Sequence, residues 1–111
     1  WVSVTPFGRL WDLHATDVQL DFEAPFAVNR VAVARVIAQA HARGLRVMLV
    51  PHLWLDAGGW RGELDPAGGE AGWQRFSASY TRFVLEWVHA TAVAGSTVLH
   101  RVQVVDRASA M

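Results

Sequence analysis

The 111-residue sequence contains no cysteine, and its ten basic residues are all arginine, with no lysine among them. The first absence excludes disulfide staples and thiolate metal sites, although it leaves the redox compartment open. The second, beside abundant Ala, Gly and Val, is what a GC-rich coding sequence produces, and no chemical meaning is attached to it. Formal net charge is zero, which removes the basic face that an electrostatic nucleic-acid binder needs. No apolar run approaches the roughly 18 residues that span a bilayer, and no charged segment leads into an apolar one at the start. Neither a nucleic acid nor a membrane is therefore expected as a partner. What is present in quantity is apolar surface: 52% of residues are hydrophobic and six are tryptophan, enough to bury a core and too much for a disordered tail. Trp1 opens directly into a strand-like run, so the expectation is a piece cut at both ends.

Residues Trp1 to Thr5 alternate, with Val2 and Val4 on one side and Trp1, Ser3 and Thr5 on the other, before Pro6 and Gly8 close the run. This predicts a short strand. A long irregular stretch is expected from Phe7 to about Phe26. Asn29 is then read as an N-cap, and Val33, Val36, Ile37 and Ala40 recur at helical spacing until Gly44, a natural helix-stop residue. Leu45 to Val50 is a nearly continuous apolar run ended by Pro51, the pattern of a strand buried on both faces of a parallel sheet. A glycine-rich loop is expected over residues 52–72. Beyond it Trp73, Phe76, Tyr80, Phe83, Val84 and Trp87 return every three or four residues, predicting an amphipathic helix that ends near Gly95. The aromatic stripe has helical period and is read as core, not as a sugar platform.

Strands alternating with helices predict an α/β fold with a parallel sheet and right-handed crossovers. Both long loops follow strand C-terminal ends, the face that carries chemistry in (β/α)₈ barrels, and a whole barrel takes about 250 residues. The expected fold is thus a partial (β/α)₈ TIM barrel of about two βα units plus an altered following strand. Residues 1–95 form the barrel-like domain and 96–111 a divergent tail.

Four segments carry a family resemblance: Val-Ser-Val-Thr-Pro-Phe-Gly at 2–8, Ala-His-Ala-Arg-Gly-Leu at 40–45, Pro-His-Leu at 51–53 and Trp-Arg-Gly-Glu-Leu at 60–64. Together, up to about Gly95, they resemble glycoside hydrolase family 113. The resemblance implies a retaining (β/α)₈ enzyme acting on β-1,4-mannan, a carbohydrate partner, no cofactor, and flanking sequence that completes the barrel. It also implies a general acid/base Glu at the end of the fourth barrel strand and a nucleophile Glu at the end of the seventh. A fourth strand resembling Phe-Ser-Ile-Gly-x-Glu should follow Gly95. Instead the sequence reads Ser-Thr-Val-Leu-His-Arg-Val-Gln-Val-Val-Asp-Arg, with no Glu. One back-translation of Ser96 to Val102, read one nucleotide later, gives Arg-Arg-Phe-Ser-Ile-Gly-Ser, so a frameshift would account for the tail. The expectation is that this chain lacks both catalytic carboxylates.

The substrate-contacting residues expected on the rim are His52, Trp60, Arg61 and Glu63. His52 follows the strand-ending Pro51 and faces either the barrel mouth or a backbone carbonyl that satisfies it. Trp60, between Gly59 and Arg61, either stacks on a pyranose ring or folds back as a lid on its own loop. Arg61 and Glu63 are expected to bind hydroxyls or to pair with each other. Glu63 is not assigned as the catalytic acid, because the family places that residue one strand later. Asp56 and Asp65 flank the same loop, and with His52 they give a His-x₃-Asp spacing too unspecific for a metal site; both are read as solvated turn carboxylates. Trp11 and His14 are expected on the same rim, extending a cleft, whereas His41 and His89 fall within helices as surface or boundary positions. The rival from another class is a non-catalytic barrel-derived glycan-binding or phage-tail domain, since fold does not fix function. A broken reading frame with exposed sheet edges is the third possibility.

Overall fold

A computed structural model describes residues 1–93 and 100–102. The order is β1 (Val2–Val4), β2 (Phe7–Leu10), α1 (Phe26–Ala42), β3 (Val47–Leu49), β4 (His52–Leu55), a 3-10 turn (Arg61–Glu63), α2 (Gly69–Val93) and β5 (His100–Val102). Every strand pairing is parallel: β1 and β5 flank β3, and β2 lies along β4. The frameshift expected for the tail concerns residues that, apart from β5, lie outside the described ones.

The four first strands are really two. Val2 faces Val47, Val4 faces Leu49, Phe7 faces His52 and Leu10 faces Leu55, so one register runs through the whole length and sets Pro6 opposite Pro51. Hydrogen bonds bridge the gap from Val50 N–H to the Val4 carbonyl and from His52 N–H to the Pro6 carbonyl, at 2.8 and 2.9 Å. Pro6 has no N–H to send back to the Val50 carbonyl, so the ladder loses one bond while the chain stays extended. This corrects two expectations. Phe7–Leu10 and His52–Leu55 are strand, not loop, and the strands outrun the prolines that were read as their ends.

Alternation along the two strands assigns their faces. Val47, Leu49, Leu53 and Leu55 are buried, as are Gly8 and Leu10. These point toward the helices, where Leu10, Leu49, Leu53 and Leu55 join Phe76, Phe83 and Trp87 of α2 in one cluster, and Ile37, Ala40 and Val47 form a second beneath α1. The other parity, Ser3, Thr5, Phe7 and Arg9 with Met48, Val50, His52 and Trp54, is half-buried or exposed. In a closed barrel this is the inward face. The expectation that β3 is buried on both faces therefore holds for its helix side alone, because among the described residues nothing fully covers the other side.

Helix α1 starts earlier than expected, at Phe26, directly after Pro25. Its first free N–H, that of Phe26, is taken by the Asp21 carboxylate at 2.7 Å. Asn29 is consequently not the cap; it sits inside the helix, and its side-chain amide donates to the carbonyls of Phe22 and Ala24. At the other end Gly44 adopts φ +73°. Leu45 N–H reaches the Ala40 carbonyl and Gly44 N–H the His41 carbonyl, both at 2.9 Å, which is the paired closure that a left-handed glycine permits. Val36, expected in the core, faces outward and is exposed. The stripe on α2 is core at Phe76, Phe83 and Trp87, whereas Trp73 at its start is open to solvent.

Gly8 of β2 packs tightly against the first loop and α2. A Cβ there would lie 2.7 Å from Val18 Cγ1 and 2.9 Å from Phe83 Cε1. Both neighbours are fully buried, so neither can swing away. Gly8→Ala is expected to overpack this point and cost about 1–3 kcal/mol, read as a lowered urea midpoint with an unchanged slope.

Candidate functional site

The C-terminal ends of the two long strands carry four inward-facing side chains in two rungs, Phe7 beside His52 and Arg9 beside Trp54. The first loop folds over them. Phe22 lies 5.1 Å from Phe7 and 5.7 Å from Trp54 between ring centroids, and Phe7 meets Trp54 edge-on at 6.0 Å and His52 at 6.1 Å. Phe22 is held in place by the turn at Glu23, a non-glycine residue at φ +62°, and by the Asn29 amide on its carbonyl. The result is an aromatic floor at the mouth of the sheet, with Trp54 still 49% exposed.

The second loop rises beside this floor. Trp60, also 49% exposed, lays its six-membered ring on Gly62; a Cβ at Gly62 would fall 2.6 Å from the ring. The lid-like packing and the exposed face thus coexist. Trp54 and Trp60 border one groove of about 300 Å³, whose other walls include Leu53, Gly58, Gly59 and Arg61. Arg61 donates through Nη1 to the Leu53 carbonyl at 3.1 Å. His52 N–H points to β2, so by the alternation of a parallel strand the Leu53 carbonyl points the other way, to the edge where a following strand would pair. Arg61 caps that edge. It makes no ion pair with Glu63 among the described residues, so of the two alternatives read from the sequence the pairing is not the one found: the guanidinium is drawn to a backbone acceptor, leaving Glu63 exposed on the turn.

Asp56 departs from expectation too. Instead of a solvated turn carboxylate it is largely covered and receives Arg9 Nε at 2.5 Å. Asp65 is exposed, and its backbone joins the loops: Asp65 N–H donates to the Leu13 carbonyl at 2.8 Å and Ala67 N–H to the His14 carbonyl at 2.9 Å. His14 Nδ1 lies 2.9 Å from the Asp65 carbonyl, so this ring zips the two loops together. No group of three or more His, Asp or Glu side chains suited to a metal ion occurs among the described residues, and no helix among them is long and apolar enough to cross a membrane.

Of the four rim residues expected from sequence, Trp60 and Arg61 share the groove, His52 sits in the floor, and Glu63 stands on the turn that follows Trp60. Phe7, Arg9, Phe22 and Trp54 were missed. The signal that would have found Phe7, Arg9 and Trp54 is the period-two alternation of residues 7–10 and 52–55, hidden by reading each proline as a strand end; Phe22, in the first loop, carries no such signal.

The first loop is tied down by Ser79 of α2. Its buried hydroxyl accepts from Val18 N–H at 3.1 Å and has two carbonyl acceptors in reach, Thr16 at 3.0 Å and Phe76 at 3.1 Å. Ser79→Ala would leave a buried N–H without a partner, at about 1–3 kcal/mol. The expected readout is faster amide hydrogen exchange at Val18 and its loop, with the strands unchanged.

Comparison with known proteins gives a concordant result. The model of Glycoside Hydrolase Family 113 matches residues 1–102, beyond Gly95 and through β5. Among solved structures, a β-1,4-mannanase of that family is similar with TM-score 0.70 and 19% identity over 84% of this chain and 31% of the mannanase. A second structure, a β-1,4-mannanase of the family described as a complex, has TM-score 0.78 and 18% identity over 99% of this chain and 36% of the other. The chain thus spans about a third of the mannanases it matches. No curated protein matches it.

Proposed function

The chain belongs to glycoside hydrolase family 113, and from that membership we propose that it forms part of the sugar-binding rim of a retaining hydrolase of β-1,4-linked mannan, while hydrolysing nothing alone. The observation that carries the reading is the pair of exposed tryptophans, Trp54 and Trp60, on one groove at the strand C-terminal ends. Indole faces bury the apolar C–H faces of a pyranose ring, and the polar groups around them fix its orientation. In this reading Trp60 and Trp54 stack on the glycan. His52 and Glu63 bind hydroxyls, joined by the Arg61 nitrogens not used on Leu53. Flanking sequence would supply the other strands of the barrel.

Inactivity of the isolated chain follows from its carboxylates. Retaining hydrolysis needs two carboxyl groups about 5–5.5 Å apart, one to attack and one to give and take the proton. The inward-facing positions on the two described strand ends are Phe7, Arg9, His52 and Trp54, none of which is acidic. Asp56 is held by Arg9, and Glu63 lies on a turn that also carries the rim tryptophan.

With mannan or a chromogenic mannoside, the chain is expected to give no turnover above buffer. Robust turnover abolished by Glu63→Gln would overturn this reading and place an acid on this loop. Mannobiose binding is expected to weaken about tenfold in Trp60→Ala, the loss of one stacking face, as followed by calorimetric titration.

A further inference from the structure

Apart from the groove between Trp54 and Trp60 there is a second cavity of about 350 Å³, lined in part by the Arg9–Asp56 pair. Trp11 lines it together with Thr16, Asp17 and Gln19. At 67% exposure Trp11 is the most open of the large hydrophobic side chains among the described residues. It is held by its backbone, whose carbonyl accepts from Ala57 N–H at 2.9 Å, while the neighbouring Leu10 carbonyl accepts from Asp56 N–H. The indole is thus placed on the rim by both loops and covered by neither.

The charges at this cavity are already matched. Arg9 binds Asp56, and Asp17 binds Arg82 and the Gln19 amide. Anionic and cationic ligands gain little from such a wall, because each charge is spent on its neighbour. A neutral polyhydroxylated ring gains more. The Arg9 fork offers Nη donors beyond the Nε used on Asp56, the carboxylates keep acceptor lone pairs, and hydroxyl groups both give and accept. An aromatic face beside paired donors and acceptors suits one face of a pyranose and its equatorial hydroxyls.

We propose that Trp11, together with Arg9, Asp56 and Gln19, forms a distal pyranose subsite that takes an outer residue of a β-1,4-linked chain whose nearer residues lie against Trp54 and Trp60. This rests on the rim reading above. The Arg9–Asp56 pair links the two sites: it lines this cavity, Arg9 shares a rung with Trp54, and Asp56 directly follows Leu55 of the first groove. A ligand long enough to pass the pair feels both sites, and a short one only the stronger.

The test uses the 111-residue chain with β-1,4-mannobiose and β-1,4-mannohexaose in calorimetric titration. Trp11→Ala is expected to weaken mannohexaose about tenfold and leave mannobiose unchanged, with Trp11→Phe restoring most of the loss. In the unaltered chain the Trp11 indole N–H resonance, identified as the one missing from the Trp11→Phe spectrum, is expected to move with mannohexaose and stay still with mannobiose. A resonance unmoved by mannohexaose, or mannohexaose affinity unchanged in Trp11→Ala while Trp60→Ala weakens both ligands, overturns the distal subsite and leaves the rim standing. Absence of binding by either sugar overturns both.

Discussion

The parallel register of residues 2–10 against 47–55 is the constraint on which the remaining structure depends. Because side chains alternate along a strand, fixing one rung fixes them all: a slip of one residue by the first strand would send Leu10 to the open face and Arg9 into the helix layer, and the same slip by its partner would do so with Leu53 and Leu55 against Trp54. The burial of the leucines against Phe76, Phe83 and Trp87 penalises that slip heavily, so the same contacts that hold α2 on the sheet also aim the polar and aromatic side chains at the mouth. The two prolines fit this scheme. Set on the same rung and on the helix-facing parity, Pro6 and Pro51 interrupt hydrogen bonding without disturbing alternation.

Long-range polar links then convert two irregular loops into one surface. Ser79 holds the first loop from below, Asn29 and the Glu23 turn hold Phe22, and the backbone bonds at Asp65 and Ala67 join the first loop to the second. These links tie residues far apart in sequence to the few rigid positions of the helices and strands. A surface made in this way can present exposed indoles without letting them collapse onto the core, the usual fate of unsupported apolar side chains in loops.

Sequence periodicity revealed the α/β order, the parallel sheet, both helices and the aromatic core of α2, because each rests on a local repeat of apolar residues. Strand length was hidden because proline is a strong punctuation mark and its effect here is confined to one hydrogen bond. The rim was legible where glycines flanked a tryptophan, as at Trp60. It was illegible at Trp54 and Arg9, whose meaning comes from the partner strand across the ladder, and at Asp56, whose counter-ion lies in another βα unit. Arg61 shows the same limit in reverse: a charged side chain next to Glu63 in sequence turns instead to a carbonyl on β4.

That contact, with one on the opposite flank, gives the sheet a polarity. At the mouth, Arg61 occupies the Leu53 carbonyl on one edge, and Gln19 exchanges two backbone hydrogen bonds with Arg9 on the other. Both are ladder positions that a neighbouring strand would need. No such cover is found along β1 on its side away from β3 among the described residues. A strand that joins beside β1, whether from the rest of a barrel or from another copy, therefore finds the base open and has to displace the Gln19 contacts to reach the mouth, which couples closure of that edge to the final shape of the rim.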